Sequence, residues 1–237
     1  MRLTQLVGAI LMAVLVTANT AQASLRITEW MYQGANGEFV EFTNVGVSPV
    51  NLTGWYYTDS DQNPFDIDLS DLGIIQPGES FILTETAEFI FRASWGLDGS
   101  VKIKGGNTDS NLGRIDEINI YNGSLVDRLT YGDNRDLADP AHLPPGAPAT
   151  AGSIRTQNRS GNPLSIGAIG ANDVYQWGLA STSGSDAFGS WTSSGNDRGN
   201  PGFFYLASSL PLVPEPTSLA LLVLGASAVG AVRRRRR

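Results

Sequence analysis

The chain has no cysteine and a single histidine, His142, among its 237 residues. The first absence excludes a disulfide framework, a thiol nucleophile and any thiolate metal site; the second excludes a zinc site built from several histidines. No Gly-x-Ser-x-Gly elbow is present to raise a serine nucleophile. Positive charge is also scarce away from the ends. Between Ser24 and Leu212 there are ten Lys plus Arg against twenty-two Asp plus Glu, so this stretch carries 10 − 22 = −12, more than the −7 of the whole chain. Such a surface repels nucleic-acid phosphates and favours cationic partners or divalent ions, so no nucleic acid is expected as a partner.

What is present is concentrated at the two ends. Near the C-terminus, Val213-Pro214-Glu215-Pro216 precedes an uncharged, small and apolar run from Thr217 to Val232, followed by Arg233, Arg234, Arg235, Arg236 and Arg237. The run is 232 − 217 + 1 = 16 residues, and a helix of that length reaches roughly 24 Å, slightly short of a bilayer core. Thr217 and Ser218 can cap its start, and the arginines hold its far end on the cytoplasmic side by the positive-inside rule. A helix packed on the protein core is the competing reading, but five terminal arginines would gain nothing there. At the N-terminus, Arg2 supplies a positive region, Leu6 to Val16 an apolar one, and Ala21-Gln22-Ala23 a small-x-small cleavage site. This pattern is a secretory signal peptide, with Ser24 as the first mature residue.

The Val-Pro-Glu-Pro string, the apolar run and the arginine cluster, in that order, resemble the PEP-CTERM sorting signal of Gram-negative bacteria. The resemblance implies recognition by an exosortase, a membrane cysteine transpeptidase, and delivery to the envelope or the extracellular polysaccharide matrix. Together with the signal peptide read at the other end, the expected organisation is signal peptide 1–23, a domain at 24–207, a spacer at 208–216 with the Pro-Glu-Pro motif, a transmembrane helix at 217–232 and a basic cytoplasmic stop at 233–237. Signal peptidase and the exosortase are the processing partners. About 190 residues remain between signal and tail, enough for one domain with its own core.

Within that domain, short apolar runs alternate with Gly, Asn, Asp and Pro. Leu25 to Tyr32, Glu38 to Asn44 and Val50 to Tyr57 read as three strands, the last with Gly54 marking a bulge or a close backbone approach. Gln76-Pro77-Gly78-Glu79 is a turn leading into a strand at Ser80 to Thr84, and Thr86 to Arg92 starts a helix of one or two turns capped by Thr86. Gly113 to Tyr121 and Ser124 to Tyr131 flank Asn122-Gly123, the signature of a hairpin with a type I′ turn.

Ile27-Thr28-Glu29-Trp30, Glu38 to Asn44, Leu52-Thr53-Gly54-Trp55, Pro77 to Leu83, Leu125 to Gly132 and the closing Asn200-Pro201-Gly202 resemble, in that order, the lamin-tail domain. The fold implied is all-β, an immunoglobulin-like β-sandwich of the lamin-tail type with a short helix. The Pro- and Gly-rich stretch at 133–170 departs from a compact version of that domain and is expected to be a long loop or insertion.

Candidate sites inside the domain are few. Five tryptophans, Trp30, Trp55, Trp95, Trp177 and Trp191, invite a sugar-stacking reading. For Trp30 and Trp55, in strands, core packing is the stronger one; for Trp177 and Trp191, in Gly/Ser-rich sequence, the two readings balance. Asp59, Asp61, Asp66 and Asp68 offer the clustered oxygens that calcium needs, yet Pro64 and Ser70 stand where an EF-hand requires glycine and glutamate. A turn-rich loop is favoured, and a looser calcium site stays open. The adjacent Asp116 and Glu117 point to opposite faces if they lie in a strand, while a glycosidase pair drawn from distant carboxylates is not excluded by sequence. No catalytic residue is assigned. The function expected is a non-enzymatic surface or matrix module serving binding, adhesion or structure, with extracellular polysaccharide or another surface protein as partner. The alternative is an exported hydrolase of matrix polysaccharide or nucleic acid, since lamin-tail domains also occur beside nucleases, although no nuclease domain fits in this chain.

Overall fold

The strand at Leu25–Met31 (β1) shows how local sequence sets the architecture. Leu25, Ile27 and Trp30 all face one core although Ile27 and Trp30 are three residues apart. A register shift between Ile27 and Glu29 in its pairing with Phe39–Asn44 (β2) resets the two-residue period at Thr28, as a β-bulge does. Met31 consequently faces the other way.

The computed structural model describes residues 24–59, 65–132, 155–181 and 186–204. After β1 and β2, the chain forms Val50–Asn51 (β3), Tyr56–Thr58 (β4), Ile67–Asp68 (β5), Ile74–Ile75 (β6) and Ser80–Thr84 (β7). A helix at Glu88–Trp95 (α1) follows, then Lys102–Lys104 (β8), Asp116–Tyr121 (β9), Leu125–Tyr131 (β10), Gly161–Pro163 (β11), Trp177–Leu179 (β12), Trp191–Thr192 (β13) and Arg198–Gly199 (β14). A six-stranded sheet in the order β12-β11-β1-β2-β7-β8 packs on a four-stranded sheet in the order β10-β9-β4-β5, and β3-β6 and β13-β14 form small ribbons. All pairings between these strands are antiparallel except that of β7 with β8. This is the immunoglobulin-like β-sandwich with one short helix expected from the sequence.

The core between the sheets holds Trp30, Val40, Phe42, Tyr57, Phe81, Ile118, Ile120 and Tyr131. Its centre is aromatic. Trp30 meets Trp177 edge-on at 5.0 Å between ring centroids and Tyr131 at 5.4 Å, and Phe42 stacks on Phe81 at 5.2 Å; contacts of this kind add roughly 0.5–1.5 kcal/mol each to the burial of the rings. A second core on the outer face of the six-stranded sheet joins Met31, Phe39 and Ile82 to Phe91 and Trp95 of α1. That sheet is therefore covered on both sides, which is why β2 shows no clean alternation: all six of its residues are buried.

Four local expectations need correction. The third strand is two: β3 pairs with β6 and β4 with β9 and β5, with the chain turning at Gly54 (φ 76°), where a side chain would meet open space. Gly54 thus serves a turn rather than a close approach. The hairpin of β9 and β10 forms, but its loop is Asn122-Gly123-Ser124 between the paired Tyr121 and Leu125, with positive φ at Gly123 and not at Asn122. It is a three-residue loop with a register shift just beyond it rather than type I′. Helix α1 has Ala87 at its N-cap without a side-chain cap, because the Thr86 hydroxyl donates instead to the Asn36 carbonyl at 2.7 Å. Finally, the segment expected to be an extended loop contains β11, which pairs with β1. Gly161 lies opposite Trp30, where an added Cβ would stand 2.4 Å from the indole ring. The weak apolar pattern of Gly161-Asn162-Pro163 hid a strand whose role is to let a tryptophan lie flat across it.

Candidate functional site

Ser24, the expected first mature residue, opens the described fold: its carbonyl accepts from Val45 N at 2.8 Å. Ala21, Ala23, the motif Val213 to Pro216, the apolar run 217–232 and the five arginines lie outside the described residues, as do His142 and Asp61. Among the described residues no helix is long and apolar enough to cross a membrane.

The aspartates raised for calcium part company. Asp68, at the exposed end of β5, accepts from Ser70 N at 2.8 Å and Ser70 Oγ at 2.5 Å, and those hydrogen bonds hold its carboxyl below the usual range. Asp66 instead accepts from Thr58 Oγ1 at 3.4 Å and from the Ser110 hydroxyl, and Asp59 is buried beside them. Among the described residues no three His, Cys, Asp or Glu side chains are arranged to hold a metal ion. Of the tryptophans, Trp177 joins the central core and is 5% exposed, while Trp191 packs edge-on against Trp95 at 6.0 Å and donates its Nε1 to the Trp95 carbonyl at 3.1 Å. Trp177 is thus too enclosed for sugar stacking, and Trp191 is half-buried with Trp95 and Phe203 against it.

The unexpected chemistry is buried. Glu29 and Glu41 are paired residues on β1 and β2 and both have zero exposure. Across an antiparallel ladder their side chains share one face, here the outer face of the six-stranded sheet. Glu41 accepts from Thr28 Oγ1 at 2.8 Å and, at the limit of a hydrogen bond, from Thr43 Oγ1 at 3.4 Å. Above them runs the C-terminal segment. Asn200 N donates to Glu29 Oε1 at 2.8 Å and Gly202 N to Glu41 Oε2 at 2.5 Å. These two amides belong to a turn that the sequence itself encodes. In Asn200-Pro201-Gly202-Phe203, proline sits second, Gly202 adopts φ 89° and Phe203 N closes onto the Asn200 carbonyl at 3.0 Å, the pattern of a type II turn. Burial, then the charge of Glu41, pushes the Glu29 carboxyl well above the ordinary range against hydrogen bonds from Ser160, Asn200 and Asn162; burial lifts Glu41 to about 7.

A second set lies at one end of the sandwich. Glu38, before β2, accepts from Leu112 N at 2.6 Å and is pushed to about 8 by burial and then by Glu85. Asp116 accepts from Gly113 N at 2.5 Å and rises to about 7 through burial, with Asp59 and Glu117 adding repulsion. The phenols of Tyr57 and Tyr131 stand in the same field, and burial followed by the nearby carboxylates raises both well above their ordinary value. Asp116 and Glu117 do take opposite faces: Glu117 is fully buried with Arg128 Nε at 3.5 Å.

Comparisons with known proteins agree with the fold and extend to the tail. Residues 18–133 match the family model of the Lamin Tail Domain, and residues 212–237 match that of the PEP-CTERM protein-sorting motif. The chain carries a lamin tail domain and a PEP-CTERM sorting motif. Its sorting motif marks it as a protein that is exported and anchored at the cell envelope through a C-terminal signal, with an exosortase as its processing enzyme. Neither a comparison with curated proteins nor one with solved structures finds a match. The lamin tail match ends at residue 133, yet β11 and β12 of the main sheet and the Asn200-Pro201-Gly202 turn lie beyond it. The protein therefore closes its sandwich with chain outside the matched part. Sequence reasoning saw Glu29, Glu41 and the turn only as pieces of a resemblance; the legible signal was a glutamate at each of two strand positions otherwise surrounded by apolar residues.

Proposed function

We propose that the protein is a non-enzymatic module of the cell surface or extracellular matrix, whose β-sandwich serves binding, adhesion or structure. In this reading, signal peptidase removes residues 1–23, the domain at 24–207 is released outside the cytoplasm, the 217–232 helix holds the precursor in the membrane, and the exosortase acts at Val213-Pro214-Glu215-Pro216. The observation that carries it is the joining of a PEP-CTERM motif to a lamin tail domain on one chain. The buried carboxylates support a structural role for that domain. Glu29, Glu41 and Asp116 are each tied to backbone amides inside the fold, whereas a general acid or base must stand within hydrogen-bond reach of a substrate.

Replacing Pro214-Glu215-Pro216 with three alanines tests the sorting half. The precursor should then accumulate in the membrane fraction at its unprocessed mass; unchanged processing and location would sink the proposal. The non-enzymatic half is tested by assaying the purified protein against glycans and DNA, where turnover lost on a single carboxylate substitution would favour an exported hydrolase. A glycan array read with and without calcium addresses both the partner and the ion.

A further inference from the structure

Glu29 and Glu41 are an unusual pair to enclose. They sit opposite each other on neighbouring strands, have no exposure, and are roofed by the Asn200-Pro201-Gly202 turn through one amide each. Two ionised carboxylates this close repel strongly where water is excluded, and burial outweighs the two backbone amides together with the side-chain donors Ser160 and Asn162 at Glu29 and Thr28, Thr43 and Ser80 at Glu41. We propose that the turn is a proton-operated latch: it stays shut while the glutamate pair keeps a proton and opens when the pair ionises fully, releasing the segment that leads to the sorting motif.

Among the described residues, no neighbouring cation is engaged with the pair. On β1, Arg26 donates to the carbonyls of Leu25 and Val126. Just before β2, Glu38 is engaged by Leu112 N, and β7 and β11 carry no charged residue. Arg159, before β11, donates to the Ala180 carbonyl; Glu88 and Arg92 of α1 pair with each other. On the C-terminal segment, Asp186 accepts from Ser181 and Ser190 amides, and Asp197 from Ala35 N and Asn158 Nδ2. Arg198 is not among the dominant influences on either glutamate. The raised titration of both groups gives the direction. The closed form binds the proton more tightly than an open, hydrated one, so closure is favoured below the ordinary value of 4.5 and weakens as pH rises through about 7, where Glu41 titrates.

Val213 follows Phe203 by ten residues in the sequence, so opening the turn detaches from the sandwich the described residues nearest to the motif. Hydrogen exchange on the full chain, purified in detergent, tests the proposal at the amides of Asn200 and Gly202. After correction for intrinsic exchange, their protection should fall at least tenfold between pH 5.5 and 8.5, since each unit of displaced titration is a tenfold effect. Glu41→Gln and Glu29→Gln should flatten that dependence; Glu38→Gln, which removes a raised carboxyl elsewhere, should leave it intact. Protection independent of pH in the native chain, or a fall that persists undiminished in both glutamine variants, overturns the latch. If the variants do not fold, carboxyl carbon shifts of the native protein decide: titration of both glutamates near 4.5 overturns it, and titration of at least one near or above 7 upholds it.

Discussion

The two faces of the six-stranded sheet are closed by different means. On the inner face Trp30, Val40, Phe42 and Phe81 meet the second sheet through apolar area alone. On the outer face, Met31, Phe39 and Ile82 lie beside Glu29, Glu41, Thr43 and Ser80, and the lid is part helix and part C-terminal turn. The apolar centre of the inner contact is indifferent to pH, and the carboxyls that titrate near it, Glu38 and Asp116, stand at one end of the sandwich. The outer contact depends on hydrogen bonds that a charge can disturb, which teaches that one sheet can be rigid on one side and adjustable on the other.

Several measurements would break or sharpen that contrast. The largest effect should come from the inner face: Phe42→Ala leaves a cavity between the sheets and should cost about 3–5 kcal/mol in chemical unfolding. A loss below about 1 kcal/mol would mean that the aromatic centre is not the main support. Next, Gly161→Ala forces a methyl group against the Trp30 ring and should cost about 1–3 kcal/mol as overpacking, with a change in tryptophan fluorescence.

The third test is pH. Glu38 at about 8, Glu41 at about 7 and Asp116 at about 7 are all raised in the fold above their ordinary values of 4.5, 4.5 and 3.8. Raised carboxyls contribute stability that is fully present below those ordinary values and lost as pH climbs through the folded ones. Unfolding midpoints should therefore decline from about pH 5 to pH 8, opposite to the acid denaturation usual for proteins with salt-bridged carboxylates. Glu38→Gln should remove the last part of the decline. The smallest effect is expected at the surface, where Lys104 meets Asp71 at 2.6 Å in solvent. Lys104→Ala should change stability by less than about 0.5 kcal/mol.

The β-sandwich and most strand positions were legible because apolar runs and Pro-Gly punctuation are local signals. The Pro77-Gly78 turn behaves as read, Gly78 taking φ 78° before β7. What sequence hid was long-range. Thr86 looks like a cap until Asn36, fifty residues away, takes its hydroxyl. β11 has no apolar pattern because its glycine answers to the shape of Trp30. Nor can Glu29 and Glu41 be read as buried, since the cover over them arrives more than 150 positions later in the chain. The acidic cluster divides for a related reason: Asp66 and Asp68 are close in sequence, yet Asp66, just before β5, engages Ser110 more than forty positions away, while Asp68 engages the neighbouring Ser70.

The two edges of the main sheet differ in a way that matters once many copies share a surface. At one edge, β8 reads Lys102-Ile103-Lys104, and both lysines are tethered to acidic neighbours, Glu79 and Asp71. Charges flanking the free rim of a sheet penalise the docking of a foreign strand, since the incoming chain must desolvate them. The opposite rim, Trp177-Gly178-Leu179, carries no charged residue of its own. In a crowded envelope, strand-to-strand stacking of sandwiches is thereby discouraged on one side and left unopposed by charge on the other, giving the molecule a directional sense of neighbourhood.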